Sequence, residues 1–303
     1  MLSLGRYLPR LALVLAMLLW SSAFIVLKNL LAVWGPGQVI FGRMLVASLC
    51  FVLLWRYWRR IGYQRGDWRW FVAMGLAEPC LYFLFEAHAL NYTSAGQAGM
   101  ITATLPLLVS VTAFLFLGER INYRQLSGFL IALAGVVTLT WSGERSAAAP
   151  CAWLGNLLEF GAMLCASGYV IALKHLSARY SPLFLTALQA FTGVLFFAPL
   201  ALLEPLPSVV GMPQWLSLLY LGACVTLGAY LLNNWAITRL PVTQASAYSN
   251  LIPVFTLFLA YWWLGETMTS LQLLASGVVL LGVIISQQPA RRRTLAPVVV
   301  HEI

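Results

Sequence analysis

Ten apolar runs of roughly membrane-spanning length set the strongest constraint on this chain. They cover residues 11–31, 38–58, 70–90, 96–117, 125–142, 152–173, 182–203, 214–235, 243–264 and 271–287, and charge, Gly or Pro bounds them. About 20 apolar residues in a helix match the hydrocarbon thickness of a bilayer. The runs therefore predict an all-α polytopic membrane protein with ten transmembrane helices. A soluble alternative needs a charged surface of about 25% of residues. Here 9% of the 303 residues are charged and 61% are hydrophobic, with mean hydropathy +0.84. The links near Asn91–Gly96 and Arg239–Thr243 are very short, and a nine-helix reading merges spans there. Arg6 and Arg10 precede an apolar run as in a signal peptide, but no small-residue cleavage site follows, so the run reads as a retained first span.

Charge placement tests the number of spans. With a cytoplasmic N-terminus, the cytoplasmic segments hold Arg6, Arg10, Arg56, Arg59, Arg60, Arg65, Arg69, Arg120, Arg124, Lys174, Arg179, Arg239 and Arg291 to Arg293, which is 15 of the 18 basic residues. The outer loops keep Arg145, while Lys28 lies near the outer end of the first span and Arg43 within the second. This asymmetry favours an even number of spans with both termini cytoplasmic, in the cell (inner) membrane. The same placement explains the net charge of +9 without a nucleic-acid partner, because no aromatic-basic motif accompanies it. The five cysteines are dispersed without a C-x-x-C pair, and the three histidines are scattered. Neither a disulfide framework nor a metal site is expected, and no cofactor.

The chain matches itself at an offset of 146–147 residues. Ser21 pairs with Ser167, Ile25 with Ile171, Lys28 with Lys174, Gly75 with Gly222, Gln97 with Gln244, Pro106 with Pro253, Gln125 with Gln272 and Gly135 with Gly282. Leu117-Gly118-Glu119 recurs as Leu264-Gly265-Glu266. Each copy holds five spans, an odd number, so the second enters the membrane from the opposite side. Inverted repeats of this kind build a site near the midplane at their interface, and rocking of the copies gives alternating access. The expected domains are a first repeat over 10–142, a second over 152–288 and a basic cytoplasmic tail over 289–303.

Several of these residues carry a family resemblance. Leu19-Trp20-Ser21-Ser22-Ala23-Phe24 with Lys28, Pro36 followed by Phe41-Gly42-Arg43, Ala89-Leu90-Asn91-Tyr92-Thr93-Ser94 with Pro106-Leu107, and Leu117-Gly118-Glu119-Arg120 resemble the EamA family of the drug/metabolite transporter superfamily. Pro253 and Gly265-Glu266 repeat the pattern in the second copy. Family members usually have Gly where this chain has Ser21. The resemblance covers about residues 10–288. It implies ten helices in two inverted five-helix repeats and transport of a small molecule, often amino-acid or metabolite export, without choosing the solute.

Charges within apolar spans are costly and mark function or pairing. At about 1.5 Å per residue, Arg43, Glu86 and Glu159 each lie roughly 8–11 Å below the outer boundary. A common depth allows Arg43 to pair with Glu86 or Glu159, as a gate or as a structural ion pair. Glu78 sits in the inner half, directly before Pro79, which can kink the helix and free carbonyls. Glu78, Tyr82 and Glu86 fall at i, i+4 and i+8 and are expected on one broad helix face. Their repeat mates include Val225 and Asn233, and the mate of Arg43 is Gln189, so the charges belong to one half. Trp20, Ser22, Gln97, Tyr169, Asn233, Gln244 and Tyr248 join Glu78, Tyr82 and Glu86 as candidate substrate-binding residues, each also readable as helix-to-helix glue. Gly128, Ala132, Gly135, Gly277 and Gly282 are expected at close helix contacts, and Glu119 and Glu266 at structural boundaries.

The leading expectation is a secondary transporter exporting a small polar metabolite, most naturally an amino acid or a related compound, by alternating access. Efflux of organic cations or drugs and proton-coupled metabolite uptake remain alternatives. Expected partners are a small-molecule substrate, membrane lipid and protons, with a monomer or weak dimer. No P-loop is present, so the chain does not hydrolyse ATP. A membrane enzyme predicts paired His/Asp or Ser/Lys groups near an interface, and a channel predicts a continuous polar pore; the repeat favours neither.

Overall fold

Apolar sequence becomes helix wherever the backbone must satisfy itself, and the broken stretches coincide with Pro, Gly and hydroxyl side chains. The computed structural model describes residues 4–58, 62–117, 123–142, 149–205, 211–237, 239–240 and 248–287. Every regular element among them is helical, and eight rods are long and apolar enough to cross a membrane. In chain order the helices are α1 (Leu4–Leu31), α2 (Pro36–Leu53), α3 (Trp55–Trp58), α4 (Trp68–Gly75), α5 (Tyr82–Tyr92), α6 (Ala95–Ile101) and α7 (Leu105–Leu117). Then follow α8 (Tyr123–Trp141), α9 (Ala152–Ser177), α10 (Pro182–Leu203), α11 (Met212–Leu219), α12 (Tyr230–Ile237), α13 (Leu251–Leu264) and α14 (Ser270–Gln287).

Four interruptions shape the interior. Thr102–Thr104 forms a 3₁₀ turn ahead of Pro106, and Tyr248–Asn250 forms another ahead of Pro253. Pro lacks an N–H and its ring crowds the carbonyl four residues earlier, so the preceding turn must tighten or open. The other two interruptions are wide π-type turns, Leu76–Leu81 between α4 and α5, and Tyr220–Ala229 between α11 and α12. In the first, Glu78 is extended, with φ −147° and ψ 120°. In the second, the Thr226 hydroxyl donates to the Leu221 carbonyl five residues back, at 2.9 Å. The expected second span ends earlier than its apolar run, at Leu53. The next residues form α3, whose Trp58 is buried and donates Nε1–H to the Phe51 carbonyl at 2.9 Å.

Close helix contacts depend on missing side chains. α14 lies along α8, where a Cβ on Gly282 would stand 2.5 Å from the Ala132 nitrogen and one on Gly128 2.4 Å from the Gly282 carbonyl. A Cβ on Gly135 would meet the Val279 nitrogen at 2.8 Å. Small residues let backbones meet where lipid offers no hydrophobic drive between helices. Gly277 departs from this expectation, since nothing lies within 4 Å of its missing Cβ. Large apolar side chains such as Leu202, Trp262 and Trp263 point outward and are 85%, 74% and 71% exposed, a surface suited to lipid rather than water.

Polar clamps hold the two ends. At one end, Glu204 accepts from the backbone nitrogens of Gly37 (2.8 Å) and Gln38 (2.9 Å), capping α2 from the end of α10. Glu266 accepts from Ala95 N (3.0 Å) and Gly96 N (2.9 Å), capping α6 from the link between α13 and α14. A carboxylate complements the exposed N–H groups and positive dipole end of a helix. Lys28 donates to the carbonyls of Leu90 and Thr93 beside this cap. At the opposite end, Arg179 pairs with Asp67 at 2.8 Å, Tyr180 donates to the same carboxylate at 2.8 Å, and His175 stacks on Trp70 with ring centroids 4.3 Å apart. Glu119 and Arg291 to Arg293 lie outside the described residues.

Gly282→Val is expected to lower stability by about 1–3 kcal/mol through overpacking, read as a lower midpoint in denaturation followed by tryptophan fluorescence. Gly277→Ala is expected to leave the midpoint unchanged or raise it, since its helical position has open space.

Candidate functional site

The first wide π-type turn packs on α10, and the first residue of α12, just past the second turn, reaches into it. Breaking the helix at Pro79 swings Glu78 off the stripe that a continuous helix would have made. Tyr82 and Glu86 keep their i, i+4 relation, with Tyr82 OH donating to Glu86 Oε1 at 2.8 Å. Glu78 turns instead to the second half, where Tyr230 OH donates to its Oε1. Gln189 Nε2 on α10 donates to the Glu78 carbonyl at 3.3 Å, and Tyr169 OH on α9 donates to Gln189 Oε1 at 3.4 Å. Trp20 on α1 meets the Tyr230 ring edge-on at 5.3 Å. Glu78, Phe83, Gln189, Thr226 and Tyr230 bound a cavity of about 10 Å³, close to the space one water centre needs. The arrangement is closed around this node.

Arg43 is buried, and the cavity wall takes up its charge. Its Nε donates to Thr226 Oγ1 at 2.8 Å, and its guanidinium stands 4.3 Å from the Phe83 ring centroid. A cation over an aromatic face gains from the ring quadrupole, more so when desolvated. The direct Arg43–Glu86 and Arg43–Glu159 pairs expected from common depth are not formed; Arg43 acts on Glu86 and Glu78 through space. Depth counted from span ends fixes height along a helix and leaves its rotation free. Glu159 on α9 is fully buried near Glu86, and neither of its oxygens has a hydrogen-bond partner.

The remaining candidates fall in separate places. Ser22 Oγ and Tyr220 OH share a hydrogen bond of 2.6 Å. Gln97 belongs to a buried knot in which Asn156 Nδ2 donates to Gln97 Oε1 at 2.9 Å and Thr93 Oγ1 donates to Asn156 Oδ1 at 2.6 Å. Thr140 closes it, accepting from Asn156 at 3.3 Å. Tyr248 packs against α1 beside Leu13 and Met17. Asn233 is half-buried, three residues beyond Tyr230. Gln244 lies outside the described residues. No group of three His, Cys, Asp or Glu residues that could hold a metal occurs among the described residues.

Comparison with known proteins decides the family. The profile of the EamA-like transporter family matches residues 9–141 and again 153–287. The chain belongs to the EamA-like transporter family. It is therefore a multi-pass membrane protein of a family that moves small molecules and is not an enzyme. A transporter of Archaeoglobus fulgidus is 29% identical over 260 residues, covering 84% of this chain and 89% of the relative. A protein of Streptantibioticus cattleyicolor named "Probable terminal-alkyne amino-acid exporter" is 27% identical over 293 residues, covering 94% and 93%. One crystal structure superposes with TM-score 0.63 at 23% identity over 92% of this chain and 96% of the other, a likeness of fold.

Three contributors to the node in this EamA-like transporter escape a reading of charge alone. Gln189 and Thr226 are neutral residues in apolar runs, and Tyr230 looks like any polar residue in a helix. The available signal was positional: Gln189 is the repeat mate of Arg43, and Tyr230 follows the repeat mate of Glu78 by five residues. Tyr230→Phe removes the donor to Glu78. A hydrogen bond to a charged group contributes about 1.5–3 kcal/mol, so the denaturation midpoint is expected to fall. Tyr248→Phe, outside the node, is expected to leave it near wild type.

Proposed function

We propose that this EamA-like transporter exports a small polar metabolite, an amino acid or a related compound, by alternating access. It crosses the cell membrane ten times, as two inverted five-helix repeats with both termini cytoplasmic. The observation that carries this reading is the Glu78 node, where a broken helix of the first half meets a broken helix of the second. Unwound backbone at membrane depth is tolerated where it is enclosed by protein or lines a cavity, and such breaks mark the binding sites of inverted-repeat transporters. Glu78 supplies a carboxylate for a substrate ammonium. Trp20, Tyr169 and Tyr230 supply aromatic walls, and Ser22, Tyr82, Glu86 and Asn233 supply further polar contacts. Gln97, with Gln244 and Tyr248, acts in this scheme at the repeat interface. The amino-acid reading is supported by the name of the Streptantibioticus cattleyicolor relative, and the orientation by the basic residues of one set of loops.

A second reading is efflux of organic cations, favoured by three buried carboxylates, Glu78, Glu86 and Glu159, against the single Arg43. Counterflow in proteoliposomes separates the two. Pools of labelled amino acids are expected to exchange saturably with wild type and at least tenfold more slowly with Glu78→Gln. Exchange of labelled organic cations alone would replace the amino-acid reading with the second one. Absence of exchange with both pools, from folded protein, would remove both.

A further inference from the structure

Glu159 is the one buried carboxylate of the central region that the Glu78 node does not use. It projects from α9, is fully buried, and has no hydrogen-bond partner on either oxygen. Every other acid near it is engaged. Glu78 accepts from Tyr230, and Glu86 accepts from Tyr82 with Arg43 acting on it from α2. An ionised carboxylate in such surroundings is shut off from bulk solvent and has neither a protein donor nor a counter-charge among the described residues, so its desolvation would go uncompensated. A neighbouring negative charge on Glu86 disfavours a second one further. Two electrostatically coupled carboxyl groups titrate as a pair, and one proton held between them relieves the second charge.

Among the described residues, the rest of the surroundings supply no cation. On α5, which packs along α9, Tyr82 and Glu86 interact electrostatically with Glu159, and Glu78 lies in the adjoining π-type turn. His88 on α5 is exposed. Helices α6, α7 and α10 and the Thr102–Thr104 turn contain no ionisable residue. In α8, Tyr123 and Arg124 lie in the first turn, whereas Thr140 near its other end meets Asn156, one turn before Glu159. In α4, Arg69 lies in the first turn, at the end where Trp70 stacks on His175. On α9 itself, Cys165 and Tyr169 follow Glu159 by six and ten residues, and Lys174 and His175 close the far end.

We propose that Glu159 is a proton-binding site, its carboxyl neutral beside an ionised Glu86, and that this proton leaves and returns in each transport cycle. The second half of that statement rests on the transport reading above. The step is a simple balance: the O–H bond of the Glu159 carboxyl breaks, the proton passes to water when the site opens, and the carboxylate is left to take a proton back from the other side. Tyr82 holds the Glu86 carboxylate by a hydrogen bond and Arg43 acts on it through space, so the two acids have different roles.

The test reads the carboxyl directly. Infrared spectra of the purified full-length protein at near-neutral pH are expected to show the carbonyl-stretch band of a neutral, non-hydrogen-bonded carboxyl, lost in Glu159→Gln and kept in Glu86→Gln. A band unchanged in folded Glu159→Gln, or no such band in wild type, would overturn the proposal. If Glu159→Gln does not fold, Glu159→Asp keeps the acid one methylene shorter, and the band is expected to shift; an unshifted band would count against Glu159. In proteoliposomes, Glu159→Gln is expected to retain amino-acid counterflow and to lose accumulation driven by a pH gradient. Retained accumulation would overturn the coupling role. Wild type that exchanges nothing would remove the transport reading while leaving the infrared result to decide the proton site.

Discussion

Everything distinctive in this protein follows from the cost of an unsatisfied polar group away from water. A chain with so little charge can fold only as helices that satisfy their own backbones. Each departure from regular helix therefore requires a local partner, and several of these partners come from the other half of the molecule. Glu78, extended in the middle of an otherwise helical rod, is met by Tyr230 and Gln189. Arg43 is met by Thr226 and the face of Phe83. The N-termini of α2 and α6 are met by Glu204 and Glu266. These cross-contacts make the two halves one object and place the polar chemistry at the seam between them.

Such contacts can be exchanged as well as kept. The clamps at the two ends differ in kind. One consists of carboxylates on helix N-termini, and the other of a charge pair with a tyrosine and a stacked histidine. Both are polar and sit where the rods leave the apolar zone, so water can replace them at modest cost when an end opens. The contacts at the centre cannot be replaced so cheaply, because the node is buried and its cavity is about 10 Å³. A substrate or water has to substitute for them.

The helices were legible in the sequence, because apolar length acts locally, whereas the 3₁₀ turns ahead of Pro106 and Pro253 fall inside spans expected to be continuous. Pro79 announced a break beside Glu78. The π-type turn at Tyr220–Ala229 was not legible, because it holds no Pro and rests on one hydroxyl, that of Thr226. Pairing was less legible still. Equal depth suggested Arg43 with Glu86 or Glu159, yet a wide turn changes the rotation of everything after it, and only the folded packing fixes which side chain faces which. Gln97 likewise looked like an interface residue exposed to solute and instead joins Thr93, Asn156 and Thr140 in a buried knot. Gly277 looked like Gly282 in sequence and faces open space.

The central claim is that this closed node opens to each side in turn. Thr186 lines the cavity and is buried. Thr186→Cys, in a chain whose own five cysteines are replaced, can be offered a membrane-impermeant thiol reagent from either face of oriented vesicles. Labelling from both faces is expected, and replacing Asp67 and Arg179, which loosens the clamp at their end, is expected to speed labelling from that face and slow it from the other. Labelling from neither face, with the protein folded, would show a permanently closed structural core and contradict alternating access at this site.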